Sequence, residues 1–313
     1  MGEMRRWLAD RPAFVALAAL LAPVLISLLG LGVAAFLPDM GVASPVPGLS
    51  SRQPLLNAQE VPPLPPVRAD QVVPAGRQQV RVPILEYHYV RVNPDPRDRL
   101  GFNLSVTPAD FAEQMDWLRA SGYHAIDLAD LRAYFTERTP LPARPVVLTF
   151  DDGYDDFYTA AFPVLQTHGF KAVSYVVPGF LDHPRYMTTE QVRAVDEGGV
   201  EVAAHTMHHV DLTKASPAQL ALEVQGSRSA LEQIVGHPVL DFCYPSGKFD
   251  AAVVAEVQRA GFQSATTEQP GTGIGWSPRL TWPRVRVMGG ERLEQFVASL
   301  GAPEPTVASS PDV

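Results

Sequence analysis

Two short clusters of acidic residues and histidines are candidates for chemistry, because side chains of these types can bind a metal ion. Asp151 and Asp152 directly follow the apolar run 146–150 and precede a glycine. Adjacent carboxylates repel each other, and a bound cation is one way to keep both ionised. Asp-Asp-Gly is also a common turn after a strand, so this pair alone leaves both interpretations open.

The second cluster is the segment His-Thr-Met-His-His at 205–209, which directly follows the apolar run 200–204. Two histidines four residues apart, here His205 and His209, reach one cation when their segment is helical or tightly turned. A histidine-rich surface loop is the alternative. Three of the chain's eight histidines fall in this segment, after the aspartate pair, and we therefore interpret it as metal-binding.

Strand and helix patterns alternate around these clusters. Apolar runs predict strands at 82–90, 146–150, 172–177, 200–204, 240–244, 263–267 and 284–288. Capped amphipathic segments predict helices that begin at 107, 155, 188, 216 and 250. This alternation predicts an α/β fold with a mainly parallel sheet, whose chemistry lies at the carboxyl ends of the strands. Periodicity does not distinguish a barrel from an open doubly wound sheet.

The motif Leu-Thr-Phe-Asp-Asp-Gly at 148–153, together with 205–209, resembles the polysaccharide deacetylase family, the NodB-homology group of carbohydrate esterase family four. The resemblance covers residues 83–300 and implies a distorted (β/α) barrel of about seven strands. It implies that Asp151 is the general base and that Asp152, His205 and His209 bind the metal. It implies zinc, and the same ligands also suit Co²⁺, Ni²⁺ or Mn²⁺.

The reaction implied by the resemblance is hydrolysis of N-acetyl groups on a cell-surface or extracellular polysaccharide that contains N-acetylglucosamine. Amide hydrolysis needs an activated water, and a divalent ion lowers the pKa of a bound water and polarises the acetyl carbonyl. Asp151 can accept the proton of that water. The charge on the oxyanion and the departing amine then require a hydrogen-bond donor and a general acid.

The third family motif is altered in this chain, which reads Phe-Cys-Tyr-Pro-Ser-Gly at 242–247. Cys243 stands where the family usually has Arg, and Ser246 stands where it usually has Tyr. The backbone N–H of Ser246 remains available as an oxyanion donor, and Ser246 and Tyr244 are the candidate oxyanion and substrate contacts. The missing arginine normally orients the base, and Arg284 and Arg286 are the candidates to replace it.

The C-terminal Leu-x-His motif that usually provides the general acid is missing, because the last histidine of the sequence is His237. His88, in a Tyr-His pair at the end of the first predicted strand, resembles an exopolysaccharide-acting subset of the family. The first and last strands of a barrel are neighbours, so we predict that His88 takes the acid role. A core histidine flanked by aromatic residues is the alternative.

The N-terminal region has the composition of a membrane anchor and a tether. Residues 13–37 carry no charged side chain and are long enough to cross a hydrocarbon layer of about 30 Å. Arg5, Arg6 and Arg11 precede them, which predicts that 1–12 are cytoplasmic and the domain at 83–300 lies outside. A cleaved signal peptide is the alternative. Prolines predict an extended linker at 38–82, and 301–313 are predicted to be a disordered tail.

The net charge of −9 argues against a nucleic-acid surface, which needs clustered Lys and Arg. A polysaccharide substrate agrees better with this charge, and nothing in the sequence indicates a protein partner. The altered motifs keep a catalytically impaired carbohydrate-binding relative open, and an O-acetyl polysaccharide esterase is the other alternative. A metallophosphoesterase would need more ligands than the sequence offers.

Overall fold

The structure, a computed structural model, describes residues 79–95 and 97–301. In chain order its strands are β1 (Gln79–Arg81), β2 (Ile84–Tyr87), β3 (Tyr89–Val90), β4 (Ser105–Val106), β5 (His124–Ile126), β6 (Pro145–Phe150), β7 (Ala172–Val176), β8 (Val200–Ala204), β9 (Asp241–Cys243), β10 (Ser264–Pro270), β11 (Gly273–Gly275) and β12 (Trp282–Arg286). Its helices are α1 (Arg99–Leu104), α2 (Pro108–Ala120), α3 (Leu128–Thr136), α4 (Phe162–His168), α5 (Thr189–Glu197), α6 (Pro217–Val235), α7 (Ala251–Arg259) and α8 (Leu293–Ser299).

Seven parallel strands close into a barrel, in the order β2, β12, β10, β9, β8, β7, β6. The ring closes because β6 also pairs with β2, from Ile84 opposite Val147 to Tyr87 opposite Phe150. β5 adds a further parallel strand alongside the first half of β6. The expected α/β architecture is confirmed, and it takes the form of a closed (β/α) barrel instead of an open sheet.

Alternation along the strands divides the barrel interior into two layers. Ile84, Val147 and Val173 fill the half nearer the strand starts with apolar side chains. Two residues further along β2 and β6, the inward positions carry the polar residues Glu86 and Thr149, which are both buried. The next inward position after Thr149 is Asp151. Because side chains alternate along a strand, the polar residues therefore lie inside the barrel near the carboxyl ends of the strands.

The outward-facing residues of the strands pack against the helices. Leu85, Leu148 and Phe150 belong to this outer core, together with Phe111 and Met115 of α2. α2 begins where the sequence predicts, because the Thr107 side chain accepts the N–H of Asp110 and Pro108 occupies the first turn. Burial on both faces explains why the barrel strands read as near-continuous apolar runs.

Several predicted boundaries differ from the structure. Strand β1 lies within the predicted linker 38–82 and pairs antiparallel with β11. The single helix predicted from 155 is a π-helical turn at Phe157–Ala161 followed by α4. Pro163 has no N–H to donate to the preceding turn, and the widened turn accommodates this loss.

The predicted N-terminus 1–12 and anchor 13–37 lie outside the described residues, as do 38–78 of the linker and 302–313 of the tail. Among the helices of the described ranges, none is both long enough and apolar enough to cross a bilayer.

Candidate active site

The carboxyl ends of four barrel strands meet around one polar cluster. His88 follows β2, Asp151 and Asp152 follow β6, and the loop 205–209 follows β8. Arg284 extends into the same space from β12. Residues far apart in sequence are thus brought to one end of the barrel, the usual place of chemistry in this architecture.

Asp152, His205 and His209 face one another closely enough to share a cation. The Asp152 Oδ1 atom lies 3.5 Å from Nε2 of His205 and 3.3 Å from Nε2 of His209. The centroids of the two imidazole rings are 4.9 Å apart. One potential ligand atom from each of the three residues lies within 4.8 Å of the others.

The hydrogen bonding of this triad fits a divalent metal ion. Nδ1 of His205 lies 2.8 Å from the carbonyl oxygen of Cys243, so Nδ1 carries the proton and Nε2 presents a lone pair. Burial lowers the pKa of His205 against the pull of the nearby carboxylates, which favours this neutral form. Oδ1 of Asp152 is buried and has no hydrogen-bond partner among the described residues. Electron-pair donors that face one another in this way suit a bound divalent cation.

The backbone at the proposed ligands is unusual. Asp152, Thr206 and His209 all have positive φ, at 75°, 63° and 53°. Non-glycine residues in this left-handed region cost on the order of 1 kcal/mol each, and such strain concentrates at functional sites. The His209 N–H donates to Oγ1 of Thr206 at 2.8 Å, which closes the loop into a tight turn.

Asp151 is held by a two-pronged contact with Arg284. Nη1 and Nη2 of Arg284 donate to the two carboxylate oxygens of Asp151 at 2.7 and 2.8 Å. Asp151 is only 3% exposed. Burial raises its pKa, but the charge and hydrogen bonds of Arg284 outweigh burial and hold the pKa below the usual range. Asp151 is therefore ionised at neutral pH and available to accept a proton.

Cys243 makes room for this arginine. Its Sγ lies 3.2 Å from Nη2 of Arg284 and 3.8 Å from Oδ2 of Asp151. A guanidinium entering from β12 thus occupies the space beside the base, next to the position where the family usually carries its own arginine. Burial raises the pKa of the Cys243 thiol, so it is a neutral packing residue and not a nucleophile.

A chain of alternating charges extends behind Arg284. Its Nε lies 3.4 Å from Oε2 of Glu86, whose Oε1 lies 2.5 Å from Nη2 of Arg286. Arg286 also pairs with Glu268 at 2.7 Å. Of the two arginine candidates, Arg284 contacts Asp151, whereas Arg286 pairs with these glutamates. Sequence reasoning missed Glu86, although an acidic residue within the apolar run of β2 was a signal for it.

His88 lies beside the base. Its Nε2 is 3.9 Å from Oδ2 of Asp151, and its side chain is 11% exposed. This separation is longer than a hydrogen bond, so the imidazole is near the reacting groups without being tied to Asp151. The structure therefore places His88 within the polar cluster, at the end of β2 and next to β12.

Ser246 and Tyr244 occupy different environments. Ser246 is exposed, with φ of 52°, in the 3-10 turn Pro245–Gly247 after β9. Tyr244 is fully buried, and its hydroxyl donates to the carbonyl oxygen of Leu280 at 2.9 Å. The prediction that Tyr244 contacts substrate is wrong: alternation along β9 turns Cys243 inward and Tyr244 outward, into the core against the helices.

A stack of tyrosines borders the triad, and no sequence pattern predicted it. The ring centroids of Tyr89 and Tyr154 are 3.8 Å apart, and those of Tyr154 and Tyr186 are 5.1 Å apart. An antiparallel bridge between Tyr154 and Tyr186 joins the two loops that carry them. Burial, followed by the charge of Asp152, raises the pKa of both phenols, so they remain neutral hydrogen-bonding groups.

Comparison with known proteins identifies the family of this fold and site. A family profile described as polysaccharide deacetylase matches residues 138–265. A polysaccharide deacetylase from Bacillus cereus has a similar structure, with a TM-score of 0.63 and 30% sequence identity over 71% of this chain and 69% of that one. The chain belongs to the polysaccharide deacetylase family. The matched residues include Asp151, Asp152, His205 and His209, whereas His88 and Arg284 lie outside them.

Two further deacetylases are similar to this chain. A Streptococcus pyogenes deacetylase in complex with acetate aligns with a TM-score of 0.67 and 25% identity, over 72% of this chain and all of that one. A poly-β-1,6-N-acetyl-D-glucosamine N-deacetylase of Escherichia coli is 38% identical over 119 residues, which are 33% of this chain and 18% of that protein. The chain is accordingly a hydrolase of carbon–nitrogen bonds other than peptide bonds. Its family generally depends on a divalent metal, and the triad offers suitable ligands.

Proposed function

We propose that this protein removes N-acetyl groups from a polymer of N-acetylglucosamine outside the cytoplasm, with zinc as its metal ion. The observation that carries the proposal is the pairing of two sites. Asp152, with its unsatisfied buried oxygen, faces the Nε2 atoms of two histidines. Directly beside this triad, Asp151 is held ionised by Arg284. A metal site next to a fixed carboxylate is what hydrolysis of an unactivated amide requires.

The proposed residues divide the work as follows. Asp152, His205 and His209 would hold the ion, which when bound supplies Lewis acidity and lowers the pKa of water. Asp151 accepts the proton of the attacking water while Arg284 keeps its carboxylate in place. The backbone N–H of Ser246 donates to the acetyl oxygen as negative charge develops there.

His88 is the proposed general acid. Its Nε2 lies on the Asp151 side of the cluster, so an imidazolium there can donate a proton to the departing amine. His88 is partly exposed, which allows it to regain a proton from solvent between turnovers. The phenols of Tyr154 and Tyr186 form a polar wall next to the triad and suit a substrate rich in hydroxyl and acetamido groups.

The substrate and the ion are inferred from chemistry and from relatives. The Escherichia coli relative is named for action on poly-β-1,6-N-acetyl-D-glucosamine, which supports a polymer of this sugar as the substrate. Two imidazoles and one carboxylate form a ligand set common in zinc sites, and Co²⁺, Ni²⁺ or Mn²⁺ suit it as well.

The uncharged stretch 13–37 supports an anchor in the cytoplasmic membrane. Release of the protein from membranes by detergent, but not by high salt, tests this anchor.

The function is tested by acetate release from partially acetylated poly-β-1,6-glucosamine, with each metal supplied in turn. Asp152→Ala and His205→Ala are expected to lose both bound metal and activity. Asp151→Asn is expected to keep the metal and lose about 100-fold or more in kcat, the usual range for loss of a general base. Metal content is measured by atomic absorption.

Three outcomes would contradict the proposal. Wild-type metal content in both ligand variants would refute the ligand assignment. Metal binding without acetate release from a broad set of glycans would indicate an impaired carbohydrate-binding relative. Faster release from O-acetyl than from N-acetyl substrates would indicate an esterase.

A further inference from the structure

The loop 205–209 must be held in place from outside, because its own backbone is strained. Thr206 and His209 are both in the left-handed region, and the two proposed ligands stand at the two ends of the loop. Contacts that exist only in the folded protein must offset this strain. A small rotation at either end would move an imidazole nitrogen away from Asp152.

Glu223 of α6 makes the main contacts with the loop from the helix side. Its Oε2 accepts the backbone N–H of His208 at 2.8 Å, and its Oε1 lies 2.9 Å from Nδ1 of the same residue. Its backbone carbonyl accepts the N–H of Met207 at 3.1 Å. One residue thus fixes two successive positions of the loop, immediately before His209.

Helix packing does not explain an acidic residue at this position. The buried residues of α6 are Leu220, Glu223, Val224, Ser227 and Leu231, so Glu223 occupies the inward stripe of the helix. It is only 2% exposed, and its salt-bridge partner among the described residues is His208. A buried carboxylate destabilises the folded state unless it is well paired, whereas an apolar residue at this site would add to the core.

The opposite side of the loop is packed against the turn Pro178–Phe180 that follows β7. The N–H of Gly179 donates to the carbonyl oxygen of Met207 at 2.9 Å. A Cβ at Gly179 would lie 2.4 Å from that oxygen and 2.7 Å from Cδ2 of His208. The loop is therefore clamped between α6 and this turn, with little room to shift.

We infer that Glu223 is a positioning residue, which fixes His209 and His205 for metal binding by holding His208 and Met207. His208 is not itself a ligand in this arrangement, because its Nδ1 is engaged by Glu223 and its side chain is 51% exposed. The inference rests on the proposed function, since it assumes that the loop binds a metal. It assigns a role to the middle histidine of the segment and to a residue of a distant helix.

The test compares Glu223→Gln with Glu256→Gln in the full chain. Glu256 is an equally buried carboxylate on α7, where it accepts a hydrogen bond from Gln225 and pairs with Arg259, away from the loop. The dissociation constant for Zn²⁺ is measured by competition with a chromophoric chelator. Hydrogen exchange of the His208 and His209 amides is measured in metal-free protein. The thermal midpoint monitors general destabilisation in both variants.

Glu223→Gln is expected to weaken Zn²⁺ binding about tenfold, within the range seen when groups that orient ligands are lost. It should also speed exchange of the two amides. Glu256→Gln should lower the thermal midpoint without either change. Unchanged Zn²⁺ affinity or unchanged amide exchange in Glu223→Gln would overturn the inference while leaving the proposed function intact. A wild-type protein that binds no divalent metal would instead refute the proposed function, and this inference with it.

Discussion

At the scale of single residues, Arg284 shows how the site adapts to its altered third motif. Its Nη groups contact Asp151, and the remaining donors reach Oγ1 of Thr149 at 3.1 Å, the carbonyl oxygen of Thr267 at 2.9 Å and Sγ of Cys243 at 3.2 Å. Every N–H of the guanidinium therefore has a partner. Such saturation fixes the plane of the group, and with it the orientation of the base.

Replacing Arg284 by lysine should impair catalysis while leaving metal binding intact. A lysine keeps the charge, but it lacks the planar fork that holds both oxygens of Asp151. We expect kcat to fall about 100-fold, in line with the contribution of a well-placed general base. Because Arg284 holds the pKa of Asp151 low, the acid limb of the pH profile of kcat should move to higher pH. Steady-state kinetics between pH 3 and 9, on samples of known metal content, measure both effects.

The matched control is Arg286→Lys, because Arg286 pairs with Glu86 and Glu268 and lies one step further from the base. It should change kcat far less than Arg284→Lys. Equal kinetic losses in the two variants would show that bidentate support of Asp151 is not what matters.

The sequence pointed to the proposed ligands through the histidine spacing and the strand ends, and the family resemblance assigned Asp152 instead of Asp151 to the metal. The sequence was not enough to choose between Arg284 and Arg286, since that choice depends on which side chain faces inward at the barrel closure. Tyr244 was misassigned for a related reason, although the alternation of side chains along β9 could have shown that it faces the opposite side from Cys243. The stacking of Tyr154 on Tyr89 and Tyr186 depends on loop packing that no local pattern encodes.

At the scale of elements, Asp156 ties the short strand β3 to the π-helical turn before α4. Its Oδ1 accepts the N–H of Val90 at 3.2 Å. Burial raises the pKa of Asp156 to about 6, against the opposing effects of that hydrogen bond and of Arg91. A contact between two elements thus depends on a carboxyl group that titrates near neutral pH.

The raised pKa predicts a pH-dependent stability. The folded state holds a proton that the unfolded state loses near pH 3.8, so the stability associated with this proton is complete below that pH and is lost as pH rises to about 6. Asp156→Asn should remove this loss and raise the free energy of unfolding at pH 7 by about 2 kcal/mol, after discounting for partial burial. Its amide oxygen can still accept the Val90 N–H.

Urea unfolding of wild type and Asp156→Asn at pH 4, 5, 6 and 7 tests this expectation. The difference between the two proteins should grow with pH and level off near 6 to 7. A constant difference across the series would mean that Asp156 does not titrate in this range.

Long elements with a recognisable cap were predicted from the sequence, and short elements were not. The helices α2, α5, α6 and α7 begin at side-chain caps that are visible in the sequence, and their starts were predicted correctly. By contrast, α1, β5 and β11 are too short to show a full hydrophobic period, and α3 and α8 were also missed. The pairing of β1 with β11 is a contact between distant segments, which no local pattern reveals.

At the scale of the whole molecule, the barrel has a gap between the first halves of β8 and β9, at the end opposite the active site. We call this gap the seam. β8 and β9 pair only through Ala204 and Phe242, so their first halves diverge. A cavity of about 300 Å³ opens there. Arg132 of α3 spans the gap, with Nη1 at 3.1 Å from Oε1 of Glu201 and a further ion pair to Asp241. Side-chain charges thus replace the missing part of the strand ladder.

Arg132→Met should destabilise the barrel strongly without affecting its chemistry. It would leave Glu201 and the fully buried Asp241 without their cation, and breaking a buried ion pair costs about 3–5 kcal/mol. Urea unfolding measures the loss, and kcat per folded molecule should stay unchanged because the seam lies at the other end of the strands. Arg193→Met, at an exposed pair with Glu190, should cost under about 0.5 kcal/mol. A loss below about 1 kcal/mol for Arg132→Met would show that the seam is held by packing alone.

The pairing of β2 with β6 and β12 also joins distant parts of the sequence at the site. The proposed metal ligands and the base Asp151 follow β6 and β8, whereas the proposed acid His88 follows β2 and Arg284, which holds the base, lies on β12. β12 joins β2 through the pairs Val285–Leu85 and Arg286–Glu86. A break in the pairing of β12 with β2 would therefore separate Arg284 from His88 and Asp151 without touching the proposed metal ligands.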